Sequence, residues 1–137
     1  MAVNFNEILF AIPSATIQPA APLTAANTNM DGSGVLGEIY TVGANGAWLD
    51  EIKIIPLGTN VTTVVRFFLD NGGARVVGNI QLLGEVTMPT QALSQTAAFN
   101  PGYYIDPRRI KAGFRLSYCL GTAVAVGFSI IPKINDY

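Results

Sequence analysis

Apolar and polar positions along this chain alternate with the two-residue period of β-strands, and no segment shows a convincing 3.6-residue helical period. The clearest strand lies in residues 57–74, LGTNVTTVVRFFLDNGGA. There Val61, Val64, Val65, Phe67, Phe68 and Leu69, with Thr62 and Thr63, are β-branched and aromatic types suited to a pleated, half-buried surface. Gly58-Thr59-Asn60 turns the chain in. Asp70-Asn71-Gly72-Gly73 turns it out with residues that tolerate positive φ, so an antiparallel neighbour is expected from Ala74, with residues 75–77 continuing the hairpin.

The same reading places further strands on either side. Glu38 to Val42 is one. In residues 47–57, Trp48, Asp50, Ile52 and Ile54 alternate with Leu49, Glu51, Lys53 and Ile55, which sends Ile52 and Ile54 to the core and Glu51 and Lys53 to water until Pro56 ends the strand. Residues 79–88 resume a strand after Gly78, and 89–98 are compatible with a single helical turn. Pro101-Gly102 and Asp106-Pro107 mark turns around Tyr103, Tyr104 and Ile105. Phe114, Leu116, Tyr118 and Leu120 alternate with Arg115, Ser117 and Cys119, and Gly121-Thr122 is short enough to fold this strand back on residues 123–131. In that return strand Val124, Val126, Phe128 and Ile130 share one face.

Seven or eight strands spaced near ten residues apart are the signature of an all-β fold, an antiparallel β-sandwich of jelly-roll type. Residues 31–137 form this domain. Residues 1–30 differ: Phe5, Ile8, Leu9 and Phe10 are apolar, and Pro13, Pro19 and Pro22 favour extended chain, so this stretch is expected to be an N-terminal arm docked on something.

Composition narrows the function. Half of the 137 residues are hydrophobic and only 12% are charged, against roughly 25% in an average soluble domain. Some of the surface is therefore expected to be apolar and covered by another protein. The net charge of −1 argues against nucleic acid, which requires a basic footprint. No apolar run approaches the roughly 20 residues of a membrane helix. Glu7 interrupts the first apolar segment and no basic region precedes it, so no export signal is read there.

Chemistry is sparse. There is no histidine, and the single cysteine, Cys119, sits in a strand pattern as a small buried hydrophobe. Adjacent Asp50 and Glu51 are expected on opposite faces of a strand, unable to flank one bond. Asp31-Gly32-Ser33-Gly34 lacks the remaining ligands of a calcium loop. The expectation is no enzyme, no cofactor and no metal. One cluster stands out: Arg108, Arg109, Lys111 and Arg115 are four of the eight basic residues and lie close to Tyr103 and Tyr104. Such a group stacks on bases or sugars, anchors a protein interface, or is a solvated loop.

Three stretches together carry a resemblance: Trp48-Leu49-Asp50-Glu51-Ile52-Lys53; Leu57-Gly58-Thr59-Asn60-Val61 through Asp70-Asn71-Gly72; and Gly113-Phe114-Arg115-Leu116 through Leu120-Gly121-Thr122-Ala123-Val124. Over about 36–131 the chain resembles small virion proteins of tailed bacteriophages, of the head decoration or cement type. The resemblance implies a protein made in the host cytoplasm that ends on the outer surface of the capsid. There it would bind the major capsid protein, often as a homotrimer, and staple adjacent capsomers. The contact residues expected on this reading are Phe5, Ile8, Leu9 and Phe10 of the arm, with Tyr103, Tyr104, Arg108, Arg109 and Lys111. The alternative is a carbohydrate-binding sandwich of a tail fibre or surface protein, stacking sugar on Tyr103, Tyr104 and Trp48.

Overall fold

The computed structural model describes residues 12–13 and 22–137. Its strands are β1 (Ile12–Pro13), β2 (Gly37–Thr41), β3 (Ala47–Pro56), β4 (Thr63–Asp70), β5 (Ile80–Met88), β6 (Gly102–Ile110), β7 (Arg115–Leu120) and β8 (Phe128–Asp136), with no helix among the described residues. They form two antiparallel sheets, a front sheet in the order β1-β8-β3-β6 and a rear sheet in the order β2-β7-β4-β5. The architecture is a β-sandwich. Its pairing is nested, so that β4 pairs β5, β3 pairs β6, β2 pairs β7 and β1 pairs β8.

The inner faces meet as alternation dictates. Leu49, Ile52 and Ile54 of β3 and Phe128, Ile130 and Ile134 of β8 face Val65 and Phe67 of β4 and Leu116, Tyr118 and Leu120 of β7, all buried in one cluster. Burial of each such side chain contributes about 1.5–3 kcal/mol. In β3 the pattern changes phase. A bulge between Leu49 and Glu51 lets Leu49 and Ile52, three residues apart, both point inward, while Trp48 stays half-exposed on the outside. Trp48 does not share a face with Ile52 as simple alternation requires. The bulge also leaves Asp50, which accepts from Trp48 Nε1 at 2.8 Å, on the same outer side as Glu51.

Four other expectations are corrected. Residues 71–79 form a loop instead of continuing the hairpin, tied back by Asn71 N–H to Asn79 C=O at 3.0 Å and by Asp70. Asp106-Pro107 makes no turn: it lies inside β6, an edge strand, where a missing N–H costs no ladder bond. Gly121-Thr122 closes no hairpin either. Residues 121–127 cross from the rear sheet to the front one, and β8 begins only at Phe128, after Gly127 at φ +91°. Buried Asn60 fixes this crossing, accepting from Val126 N–H at 2.8 Å and Gly127 N–H at 3.1 Å and donating to Gly127 C=O at 2.9 Å. Residues 89–98, read as compatible with a helical turn, are irregular.

Side chains close the sandwich along both flanks. At one, the Tyr40 hydroxyl of β2 donates to Asp136 of β8. At the other, Tyr104 of β6 stacks on Phe67 and donates to Leu83 C=O of β5 at 2.9 Å.

Of the stretch read as an arm, residues 22–30 pack on this chain's own sandwich. Asn27 N–H donates to Leu120 C=O at 2.7 Å, Val124 N–H donates to Thr24 C=O at 2.9 Å, and Leu23 packs on the core. Residues 27–35 then strap the outer face of the rear sheet. The Asn27 carbonyl receives Arg66 Nη1 at 3.4 Å and Cys119 Sγ at 3.6 Å, and Gly32 lies directly against the Ile80 side chain. Phe68, Ser117 and Cys119 point away from the core on this face and are nonetheless fully buried.

Candidate interaction surface

With the rear sheet strapped, the outer face of the front sheet remains. Register places its side chains in rows across three strands. Lys53 lies between Tyr103 and Ile131, Glu51 between Ile105 and Lys133, and Trp48 between Arg109 and Asn135. Ile105 is 69% exposed, Tyr103 45% and Ile131 40%. These apolar side chains continue toward one end of the sandwich, where the loops 57–62, 89–101 and 121–127 lie together. Leu57 N–H donates to Gly127 C=O at 3.1 Å, Gly58 packs against Val126, and Leu93 N–H donates to Thr59 Oγ1 at 2.8 Å. Leu57, Val61, Leu93 and Val126 are exposed there. Of the eleven large hydrophobic side chains exposed among the described residues, seven therefore belong to the front face and this loop end. The charges among them are available to a partner, because Glu51, Lys53 and Lys133 form no ion pair among the described residues.

The basic and aromatic cluster divides by strand parity. Tyr103 and Arg109 face outward, and the Arg109 guanidinium sits 5.3 Å from the centre of the Tyr137 ring. Tyr104 and Arg108 point to the inner side of β6. There Asp106 accepts from the Tyr104 hydroxyl at 2.7 Å and pairs with Arg108 Nη2 at 2.6 Å. Burial pushes the Tyr104 phenol well above its ordinary value, and the neighbouring Asp106 carboxylate adds to the rise. Lys111 lies exposed just past the end of β6. Arg115 belongs to the rear sheet, where with Arg75 it clasps buried Asp70. Phe5, Ile8, Leu9 and Phe10 lie outside the described residues. Neighbours in sequence thus serve two faces, Tyr103 and Arg109 one and Tyr104 and Arg108 the other, whereas Leu57, Val126, Ile131 and Ile105, which build the surface, do not stand out in the sequence as contact residues. Their signal is present in part: Glu51 and Lys53 mark the outward parity of β3, and the strands paired with it present Ile105 and Ile131 in the same rows.

The three aromatics proposed to stack sugar do not line one groove. Tyr103 and Trp48 occupy opposite ends of the front face, about six residues or roughly 20 Å apart along β6. Tyr104 faces the other way. Among the described residues, no group of three or more Cys, Asp or Glu side chains is placed to hold a metal ion. Comparison of the chain with protein-family models, curated proteins and solved structures finds no match in any of the three.

Proposed function

We propose that this protein is a structural component of a virion, a decoration or cement protein that binds the major capsid protein on the outer surface of a phage head and staples neighbouring capsomers. The nested order β1-β8-β3-β6 over β2-β7-β4-β5 supports a jelly roll, the wrapping used by many capsid and lectin domains. The observation that carries the reading is the group of exposed apolar side chains at one loop end, Leu57, Val61, Leu93 and Val126, beside Tyr103, Ile105 and Ile131 on the front face. Exposed apolar side chains gathered at one end of a small domain with few charges favour a protein partner. An assembled shell offers contacts across its joints that separated subunits do not. Binding there stabilises the assembled state by mass action, and no reactive group is required.

The test is co-sedimentation with phage shells stripped of their decoration protein. Wild type pellets with shells, Leu57→Asp and Val126→Asp stay in the supernatant, and Val77→Asp, on the opposite loop end, pellets as wild type does. Wild-type protein that remains in solution beside intact shells overturns the reading.

A further inference from the structure

We propose that the outer face of the front sheet binds a second copy of this chain, face to face, about a two-fold axis that lies between the sheets and crosses β3 between Glu51 and Lys53. The argument is charge complementarity. Glu51 and Lys53 occupy successive outward positions of the central strand, about 6.6 Å apart, with opposite signs and no ion-pair partner of their own among the described residues. A rotation about that axis lays the row Ile131-Lys53-Tyr103 of one copy over the row Lys133-Glu51-Ile105 of the other. Lys53 then meets Glu51 in both halves of the interface. Tyr103 packs on Ile105 of the second copy, and Ile131 covers the aliphatic stem of its Lys133.

The face is complementary to itself, as a two-fold interface requires: residue i meets j, and j meets i. An axis parallel to the strands instead sets Lys53 against Lys53 and Glu51 against Glu51, so the charges select one orientation. Aligned sheets pack about 10 Å apart with a rotation near 30°, which keeps the central pairs within reach. The homotrimer implied by the resemblance joins unlike surfaces around a ring and does not use this property. Pairing here leaves Leu57, Val61 and Leu93 at the loop end free, and it does not rest on the capsid reading.

The experiment is sedimentation equilibrium on wild type, Glu51→Lys, Lys53→Glu and an equimolar mixture of the two variants, each checked for native folding by circular dichroism. Wild type forms dimers. Each variant alone is monomeric, with dissociation favoured about tenfold or more by two like-charge contacts. The mixture forms heterodimers, because the first variant carries lysine at both central positions and the second carries glutamate at both, so each contact joins opposite charges. Monomeric wild type, a trimer, single variants that still dimerise, or a mixture that stays monomeric each overturn the proposal. Shell co-sedimentation of the monomeric variants is read separately, so loss of pairing and loss of shell binding are distinguished.

Discussion

The ring of Tyr104 on β6 lies 5.2 Å from that of Phe67 on β4, with 29° between their planes, so one side chain joins the edge of the front sheet to the middle of the rear one. Its hydroxyl proton is shared between Leu83 C=O and the Asp106 carboxylate, and the folded protein holds the phenol protonated above its ordinary value of 10.0. In the unfolded chain the phenol ionises near that value. The stabilisation is therefore complete below pH 10 and is lost as pH rises beyond it, since the unfolded state then binds fewer protons than the folded one. Tyr104→Phe is expected to cost about 1 kcal/mol at pH 7 and to flatten the fall in stability above pH 10. Urea unfolding of both proteins on either side of pH 10 checks this, and an unchanged alkaline slope in the variant removes Tyr104 as its source.

Gly84 on β5 leaves the space that this ring fills. A Cβ at Gly84 stands 2.5 Å from Tyr104 Cε2, which no real contact tolerates. Gly84→Ala should destabilise the protein by about 1–3 kcal/mol through overpacking. Combined with Tyr104→Leu the penalty should largely vanish, because the ring that blocks the methyl is gone. A double-mutant cycle in urea measures the coupling, and strict additivity would place the strain elsewhere.

Asp70 has a fully buried side chain and accepts from Gly72 N–H at 2.8 Å, Arg115 Nε at 2.8 Å and Arg75 Nε at 3.5 Å. It fastens the 71–79 loop to β7. The Arg115 and Arg75 side chains retain 23% and 30% exposure, so water recovers part of what the pair loses. Asp70→Ala is expected to cost about 2–3 kcal/mol and to open residues 71–79 to limited proteolysis. Stability within about 0.5 kcal/mol of wild type, roughly the scatter of surface substitutions, would show the clasp to be dispensable.

Cys119 lies under the strap of residues 27–35, and burial pushes its thiol up while Arg66 pulls the other way. A protonated, covered thiol is unreactive, so labelling by a disulfide reagent reports how often the strap lifts. The Asn27 side chain pins that strap through Ser33 C=O at 2.8 Å and Val35 C=O at 2.9 Å. Asn27→Ala should therefore raise the labelling rate about tenfold, the equivalent of one or two lost hydrogen bonds, with little change in the rate at which the fully unfolded chain is labelled. Equal rates in the two native proteins would mean the thiol is reached by another route.

Which parts of this are legible in the sequence follows from what alternation does and does not encode. Ile52 and Ile54 in β3, and Leu116, Tyr118 and Leu120 in β7, fall on strands with the correct faces, because period-two patterning is a local property. In β4 the run of apolar residues marks the strand but not which of them, Val65 and Phe67, face the core. Trp48 goes to the wrong face because a bulge adds one residue without any change in residue type. The Gly121-Thr122 hairpin fails for a nonlocal reason: Asn60, more than sixty residues away, turns the chain at Gly127. Pro107 reads as a turn in isolation and as harmless on a sheet edge, and only the strand order decides between them. The surface suffers similarly. Tyr103 and Tyr104 look like a pair in sequence, yet neighbours on a strand serve opposite sides.

The nested pairing has a consequence for synthesis. β8, the last strand of the sandwich to be made, lies between β1 and β3, so the front sheet has no middle until residues 128–136 have left the ribosome. Until then β3 presents Leu49, Ile52 and Ile54 along an unpaired edge, the condition under which nascent chains aggregate or recruit chaperones. Closure of the core thus waits on these residues, and a chain cut short before Phe128 keeps the inner face of β3 open on the side that β8 would cover.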